Sequence, residues 1–585
     1  MDFMTDVATI PLLRRPLFRP LAHFAAACLI GTLATDLVYW RTADMFWADA
    51  SSWLVTIGFM LGMLAFAVGL IEVVARRPLL DPPNWVYVFV AVLTLIAVFL
   101  NVMTHTRDGW TSVAPEGLGL SAMTVALMLF FPRGRALARR PPGMVLAMLT
   151  VLATSAPFAF ALKHADAAFD LSSQIGPNPA LPEPEPSLLP HMRLAKVVGW
   201  GEGEKPEVAP GLAIAPLAQN LQHPRSLAVL PNGDILVVEA VAPKGHPIHR
   251  PKDLVMGLIE SWATNGGSTG PSNRITLLRV GPDGKAQQSL FLDHLTSPFG
   301  VALVGGDLYV ANTDALMRYP YKTGDLRIES PGEVLAPLPG GPIDHHWTKS
   351  LVASKDGSLL YVGVGSNSNV GENGLEAEKN RAAILEVERA TGRWRVFASG
   401  LRNPNGLSFE PETGALWTVV NERDELGPNL VPDYLTSVKD GGFYGWPYSY
   451  WGAHVDPRVA PPRPDLVARA LMPDYSLSSH VAPLGLAFSN GAGLPERYRK
   501  GAFVGEHGSW NRGELNGYKV AFVPFNGGRP SGKAEDVVTG FLNAQGEARG
   551  RPVGVAVDGG GALLIADDVG NTVWRVAAAS QQASP

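Results

Sequence analysis

The sequence predicts an α-helical membrane domain of about five transmembrane helices over 1–164, then an all-β six-bladed propeller over 209–580, joined by a Pro-rich linker over 165–208. Three observations carry this reading. Leu, Ala, Val, Met and Phe dominate residues 20–163, whereas the remainder has the Gly- and Pro-rich composition of a water-soluble chain. Arginines gather on alternate sides of the apolar segments. From about Gly211 onward, a polar entry, a strand, a Gly-containing turn and a second strand recur six times.

The apolar segments are Leu21–Trp40, Trp53–Val74, Val86–Met103, Leu118–Phe131 and Met144–Leu162, against the roughly 20 apolar residues that a helix needs to cross a bilayer. The fourth is short, and a buried core helix reads the same way. Arg14, Arg15 and Arg19 precede the first segment, Arg76 and Arg77 follow the second, and Arg133, Arg135, Arg139 and Arg140 follow the fourth. Opposite loops hold only Arg41 and Arg107, beside Asp44, Asp49, Asp108 and Glu116. Positive loops stay inside, so the N-terminus is expected in the cytoplasm and everything after Leu162 across a bacterial inner membrane, in the periplasm. The first run is too long for a signal peptide and lacks a small-residue cleavage site. Asp36, Asn101 and His105 share the outer side, and ionisable groups in membrane helices mark function. The partner expected there is ubiquinone or another respiratory electron acceptor.

Gly176-Pro177-Asn178-Pro179 and Pro182-Glu183-Pro184-Glu185-Pro186 predict extended, semi-rigid chain without a core of its own. The repeats then begin at His223-Pro224-Arg225, Ser297-Pro298-Phe299-Gly300, His346-Trp347, Arg402-Asn403-Pro404, His480-Val481-Ala482-Pro483 and Arg551-Pro552-Val553. Turns such as Asn232-Gly233, Gly305-Gly306 and Asp356-Gly357 separate the paired strands, as hairpins require. Spacings of about 48 to 79 residues suit one four-stranded blade per copy. A two-sheet sandwich would not repeat one entry six times.

A net charge of −5 and a pI near 6.2 give no footprint for nucleic acid. The single cysteine, Cys28, excludes an intrachain disulfide, a cysteine zinc site and a C-x-x-C-H haem attachment. Chemistry gathers instead at blade entries. His346, Arg402-Asn403 and Arg549-x-Arg551 are spread over about 200 residues yet occupy equivalent positions, which a propeller brings to one axial pocket. A neutral imidazole accepts a proton and guanidinium groups hold a polyanion. The combination points to oxidation of an alcohol on a bound anionic redox cofactor.

Five motifs in order give these residues a known setting: His346-Trp347-Thr348, Gly400-Leu401-Arg402-Asn403-Pro404-Asn405-Gly406-Leu407, Gly441-Gly442-Phe443-Tyr444-Gly445-Trp446-Pro447, Gly505-Glu506-His507-Gly508-Ser509-Trp510-Asn511-Arg512 and Arg549-Gly550-Arg551. Over roughly residues 210–577 the chain resembles the quinoprotein sugar dehydrogenases of the glucose/sorbosone dehydrogenase family, in the sorbosone-dehydrogenase-like branch. The membrane half resembles a family of small bacterial membrane proteins without established function. The first resemblance implies a propeller that binds pyrroloquinoline quinone and calcium at the mouth of its channel and oxidises a sugar, aldose or sugar aldehyde. It implies that His346, with His345 as the rival, is the catalytic base. Arg402 and Asn403 match the pair that touches the quinone oxygens, where charge develops. Arg549 and Arg551 match the pair that binds its carboxylates, with alternation on a strand expected to aim both the same way.

Departures from the family pattern are specific. Calcium is held in the family by backbone carbonyls of the loop that here reads Asn421-Glu422-Arg423-Asp424-Glu425-Leu426-Gly427, and Glu422-Arg423 stands where the family has Gly-Pro. Glu422 and Asp424 are nonetheless hard oxygen ligands of the kind calcium prefers, so Glu422, Arg423 and Asp424 form the expected metal loop. The family's cofactor-binding lysine has no match, and His507, Asn511 and Arg512 are the expected replacements. Phe299 replaces an amide near the substrate. Two rival readings are a metal-dependent, lactonase-type propeller hydrolase and a non-catalytic binding propeller tethered to the bilayer. The entries Arg225, Phe299, His346 and Arg402 suit an anion better than a cation.

Overall fold

Apolar side chains on every side of the first helices leave them no aqueous face. The computed structural model describes residues 18–75, 85–130, 169–185, 191–243, 247–263, 272–489, 491 and 493–579. It divides into two units, Met1–Ala165 with Ile248–Val255, and Asp166–Pro247 with Met256–Pro585. In the first, α1 (Phe18–Thr42), α2 (Met45–Ala75), α3 (Trp85–His105) and α4 (Glu116–Phe130) pack together. Among the described residues four stretches are long and apolar enough to cross a membrane: Phe18–Thr42, Met45–Glu72, Val88–His105 and Gly109–Leu129. Phe24, Ile30, Met60 and Phe89 project outward and exposed, as lipid-facing residues do. The short fourth segment is thus lengthened by the turn before it. The fifth expected segment, Met144–Leu162, lies outside the described residues.

Several polar groups inside this bundle are paired. Asp36 of α1 takes a hydrogen bond from Ser121 of α4 (2.6 Å) and faces His105 Nε2 of α3 (3.0 Å), while Asn101 donates to Ser121 Oγ (2.8 Å). All four are buried. Arg250 and Lys252 of the Ile248–Val255 stretch pair with Asp108.

The second unit forms six blades. Their innermost strands are Pro224–Val229, Gly300–Val304, Leu351–Ala353, Asn403–Phe409, Pro483–Phe488 and Pro552–Val557, each starting at or just after an entry motif, and each leads an antiparallel sheet. In the third blade Leu351 opposes Val362, Val362 opposes Leu385, and Leu385 opposes Val396. Neighbouring innermost strands touch in turn, and the sixth meets the first, which closes the ring. Closure of the last sheet is non-local: its outer strand is Leu212–Ala218, paired with Thr572–Ala578.

Glycine permits this crowding. A Cβ on Gly300 would lie 2.4 Å from Leu351 N, and one on Gly485 would lie 2.2 Å from Val553 O, closer than any side chain tolerates. Below the entries Phe299, Leu484 and Val553 cluster around the axis. The main core lies between blades, where sheet faces meet through Tyr498, Phe503, Phe522, Ile565 and Trp574.

The linker departs from expectation. Ile175–Gly176 pairs with the outer strand of the fourth blade, Ile175 opposite Leu477, and Glu207–Val208 pairs with Glu535–Thr539 of the fifth. Gln174 is buried and donates to Asn429 O (2.6 Å). Extended chain presents unpaired N–H and C=O groups, and so does a blade's outer edge; pairing satisfies both.

Candidate active site

His346 sits at the entry to the third blade, on a turn in which Asp344 takes a positive φ of 36°. Its Nδ1 lies 2.9 Å from the carbonyl oxygen of Ser366 and 3.0 Å from Ser366 Oγ. A carbonyl oxygen only accepts, and Ser366 Oγ donates its own proton to Ser368 O (2.6 Å). Nδ1 therefore carries the hydrogen, and in the neutral ring Nε2 carries the lone pair. No hydrogen bond occupies Nε2 among the described residues. Burial, then the charge of Arg402, then His345, hold the imidazole well below its ordinary pKa. Neutral His346 is a base with a fixed tautomer. His345 is exposed and meets the His346 ring edge-on at 4.6 Å.

The turn is held from below by Lys349 of the stretch Asp344–Lys349 and by Arg381, which no motif singled out. Arg381 donates to Asp344 Oδ1 (2.7 Å), His346 O (3.2 Å) and Pro339 O (2.6 Å). Lys349, fully buried, donates to Trp347 O (2.9 Å). Burial pulls the Lys349 ammonium down to about 7. Nothing local in the sequence marks Arg381 as their partner.

Arg402 and Asn403 open the fourth blade beside His346. Ser366 N donates to Arg402 O (2.8 Å). A Cβ on Gly365 would fall 2.4 Å from Asn403 Oδ1 and 2.5 Å from His346 Cβ, so the glycine is what lets the two side chains meet. Asn403 Oδ1 is buried and has no hydrogen-bond partner among the described residues. The Arg402 guanidinium is satisfied by protein: Nε by Asn369 O (3.2 Å), Nη1 by Glu422 O (2.7 Å) and Asn421 O (3.4 Å), Nη2 by Asn369 Oδ1 and Asp424 Oδ2 (3.1 Å each). Trp446 of the Gly441–Pro447 motif supports Asn369 by donating to its carbonyl (2.8 Å). Arg402 is thus a fixed charge.

A second group of cationic and imidazole side chains comes from the first, fifth and sixth blades. Asp568 Oδ2 accepts from Arg225 (2.5 Å) and lies 3.0 Å from His507 Nε2 and 3.8 Å from His223 Nε2. Burial alone would raise the Asp568 carboxyl, but the two imidazoles and Arg225 hold it far below the carboxylate range. Arg225 also lies over the Trp347 ring, 5.7 Å from its centre. Arg551 stacks on Tyr518 at 5.2 Å. The Nε atoms of Arg225 and Arg551 are buried and meet no acceptor among the described residues. The sequence marks His223 only as a blade entry and does not mark Asp568 beyond the Asp567-Asp568 pair that closes the last hairpin, so neither was expected in the site.

Other expected site residues go elsewhere. Arg549 and Arg551 precede the strand, which starts at Pro552, so alternation does not align them; Arg549 turns to Glu204 (3.4 Å) instead. Arg512 donates to Pro428 O, Ser479 Oγ (2.7 Å) and Glu514 O (3.0 Å). Asn511, with its amide oriented to suit its neighbours, bridges His191 O and Glu425 N, both at 3.0 Å. Both residues tie loops together, and His507 alone of the three joins the cationic group.

The expected metal loop, Glu422, Arg423 and Asp424, is held by cations of the chain. Glu422 accepts from Arg423 Nε (2.9 Å), and Arg423, fully buried, also pairs with Asp456 (3.1 Å). Asp424 faces Arg402 (3.1 Å) and His480 (3.4 Å). Burial opposes its charge, yet Arg402 and His480 hold its carboxyl below the usual range. Among the described residues no three His, Cys, Asp or Glu side chains converge as a metal site. The expected ligands are already bound to cations of the chain itself.

A family model described as TrAA12-like matches residues 283–433 and 467–579, and one described as predicted membrane protein (DUF2231) matches 15–132. An uncharacterized protein of Borreliella burgdorferi is 28% identical over 300 residues, 48% of this chain and 76% of its own length. The aldose sugar dehydrogenase YliI of Escherichia coli is 24% identical over 317 residues, 49% of this chain and 76% of its own. Among solved structures, the holo pyranose dehydrogenase PQQ domain of Coprinopsis cinerea superposes with a TM-score of 0.50 at 20% identity, over 64% of this chain and 97% of that one. The calcium structure of the Trichoderma reesei family AA12 enzyme gives 0.52 at 19% identity, over 64% and 97%.

Proposed function

We propose that this chain, a quinoprotein sugar-dehydrogenase-like propeller behind a DUF2231 membrane domain, is a membrane-anchored oxidoreductase that oxidises the anomeric or aldehyde-hydrate hydroxyl of a sugar. The observation that carries the reading is His346: a neutral imidazole whose Nδ1 is committed to Ser366 and whose Nε2 is left to accept a proton, beside Arg402 and Asn403. When bound, pyrroloquinoline quinone supplies the hydride acceptor.

The residues present fit that group. Arg225, Arg551 and His507 would face its carboxylates, since two of their guanidinium Nε–H donors are buried and meet no acceptor among the described residues and Arg suits bidentate carboxylate contact. Arg402 and Asn403 would face its reacting end. His346 Nε2 takes the hydroxyl proton; Ser366 keeps the ring from rotating and accepts the Nδ1 hydrogen throughout. The protonated ring is relieved of its charge by returning the proton to water, which its depressed pKa favours. Arg402 holds positive charge where negative charge grows, and because protein carbonyls and carboxylates fix it, no reorganisation is needed during reaction. Phe299, Leu484 and Val553 close the axis beneath and keep water from that side. Sorbosone-like sugar aldehydes are the proposed substrate class, the propeller is proposed to face the periplasm, and the electrons go on to ubiquinone or another respiratory acceptor.

The test is a quinone titration of the purified full chain followed by absorbance, then addition of a sugar panel. Saturable binding and a spectral change on adding an aldose are expected. In Arg551→Ala the quinone should bind more weakly with turnover at saturation largely kept, because a carboxylate clamp holds ground and transition states alike. No quinone binding at any concentration would overturn the reading.

A further inference from the structure

We infer that the loop 421–428, where calcium sits in the family that the sequence resembles, is held in this chain by its own guanidinium groups and takes no divalent cation. The inference rests on the quinoprotein reading only for where the ion would be.

Calcium binds oxygen, and it needs six to eight donors that are not already committed. Here most of the loop's donors are committed. The carbonyls of Asn421 and Glu422 accept from Arg402. That of Asp424 accepts from Arg458 Nη1 (2.7 Å) and Asn369 Nδ2 (3.1 Å). Gly427 O faces His480 Nε2 (3.2 Å), and Pro428 O takes Arg512. The side chains repeat the pattern, Glu422 on Arg423 and Asp424 on Arg402. Asp456, fully buried, lies between Arg423 (3.1 Å) and Arg458 (2.7 Å).

Pairing leads to the same place. Arg402, Arg423, Arg458 and Arg512 put four guanidinium groups around the loop, on the carboxylates Glu422, Asp424 and Asp456 and the carbonyl of Pro428, while Asp433 accepts from Glu422 N (2.7 Å). A divalent ion would need these pairs broken, leaving buried arginines unpaired. Arg423 occupies the position where the family has the second residue of Gly-Pro, and its side chain fills the loop's interior, donating to Pro447 O (2.8 Å) and Ser449 O (2.6 Å). The arginines give the loop its shape, and Arg402 holds its charge beside His346.

Two measurements on the full chain, stripped with a calcium chelator, decide this. Calorimetry with calcium alone should find no saturable site in the loop. A site that is weakened in Asp424→Asn or Glu422→Gln, or whose bound terbium loses its sensitised luminescence in Trp446→Phe, the tryptophan that reaches the loop through Asn369, overturns the inference, whereas a site that passes both tests lies elsewhere. Quinone titration in chelator and in excess calcium should give the same dissociation constant; tightening by about tenfold or more with calcium, the size of an ordinary coupling between two ligands, also overturns it. If quinone binds in neither condition, the functional reading fails while the calorimetry still decides the loop.

Discussion

His346 carries the sharpest expectation at the scale of a single residue. His346→Ala should keep quinone affinity and lower turnover by about two to four powers of ten, the range of general-base catalysis. His345→Ala should cost far less, because that ring is exposed and contacts His346 only by its edge. Reversed effects would show that the base is the neighbour. The pH profile follows from the direction of the shift. The neutral ring is the active form and its pKa is depressed, so activity should hold as pH falls past the ordinary imidazole value of about 6.5 and decline only well below it. Arg402 is one cause of the depression, so Arg402→Gln should move the acid limb of kcat/KM to higher pH as well as lower the plateau. An unmoved limb would mean that the titrating group is not His346.

Blade strands and connecting segments differ in how far the sequence reveals them. All six innermost strands were legible, since turn residues and polar entries are local signals that mark where a strand starts. The same locality brought His346, Arg402 and Asn403 to neighbouring entries. Partnerships across the chain left no such mark. Arg381 reaches Asp344 and Arg458 reaches Asp424 from segments without a motif. The linker strands at Ile175 and Glu207 pair only because blade edges are waiting there. Arg549 was read on a strand that begins three residues later, at Pro552. The axial glycines allow a test at this scale. Gly485→Ala would place a methyl 2.2 Å from Val553 O, and forcing the fifth and sixth innermost strands apart should cost about 1–3 kcal/mol, as overpacking does. Gly559→Ala, with nothing near its added carbon, should change little. Denaturant unfolding of both variants measures the difference; equal midpoints would mean that the strands are not held by close approach.

For the whole molecule, composition separated a membrane half from a propeller half, and the structure divides into corresponding helical and β units, apart from Ile248–Val255, which joins the helices through Arg250 and Lys252. No periodicity in a propeller's sequence could announce that. The arginine asymmetry makes a prediction for the intact chain: a reporter fused after Pro585 should be active only in the periplasm, and one fused after Arg140 only in the cytoplasm. Cytoplasmic activity of the C-terminal fusion would reverse the orientation. The closing strand of the sixth blade has a consequence for the order in which the molecule is made. Leu212–Ala218 emerges first among the blade strands and waits for Thr572–Ala578. At typical synthesis rates the interval is roughly 20 to 70 s. Throughout that time five blades can form, but the ring stays open and an apolar strand edge stands unpaired, available to other chains. The hazard is set by the pace of translation, not by how stable the finished ring is, and the propeller's beginning stays open to other chains until its end arrives.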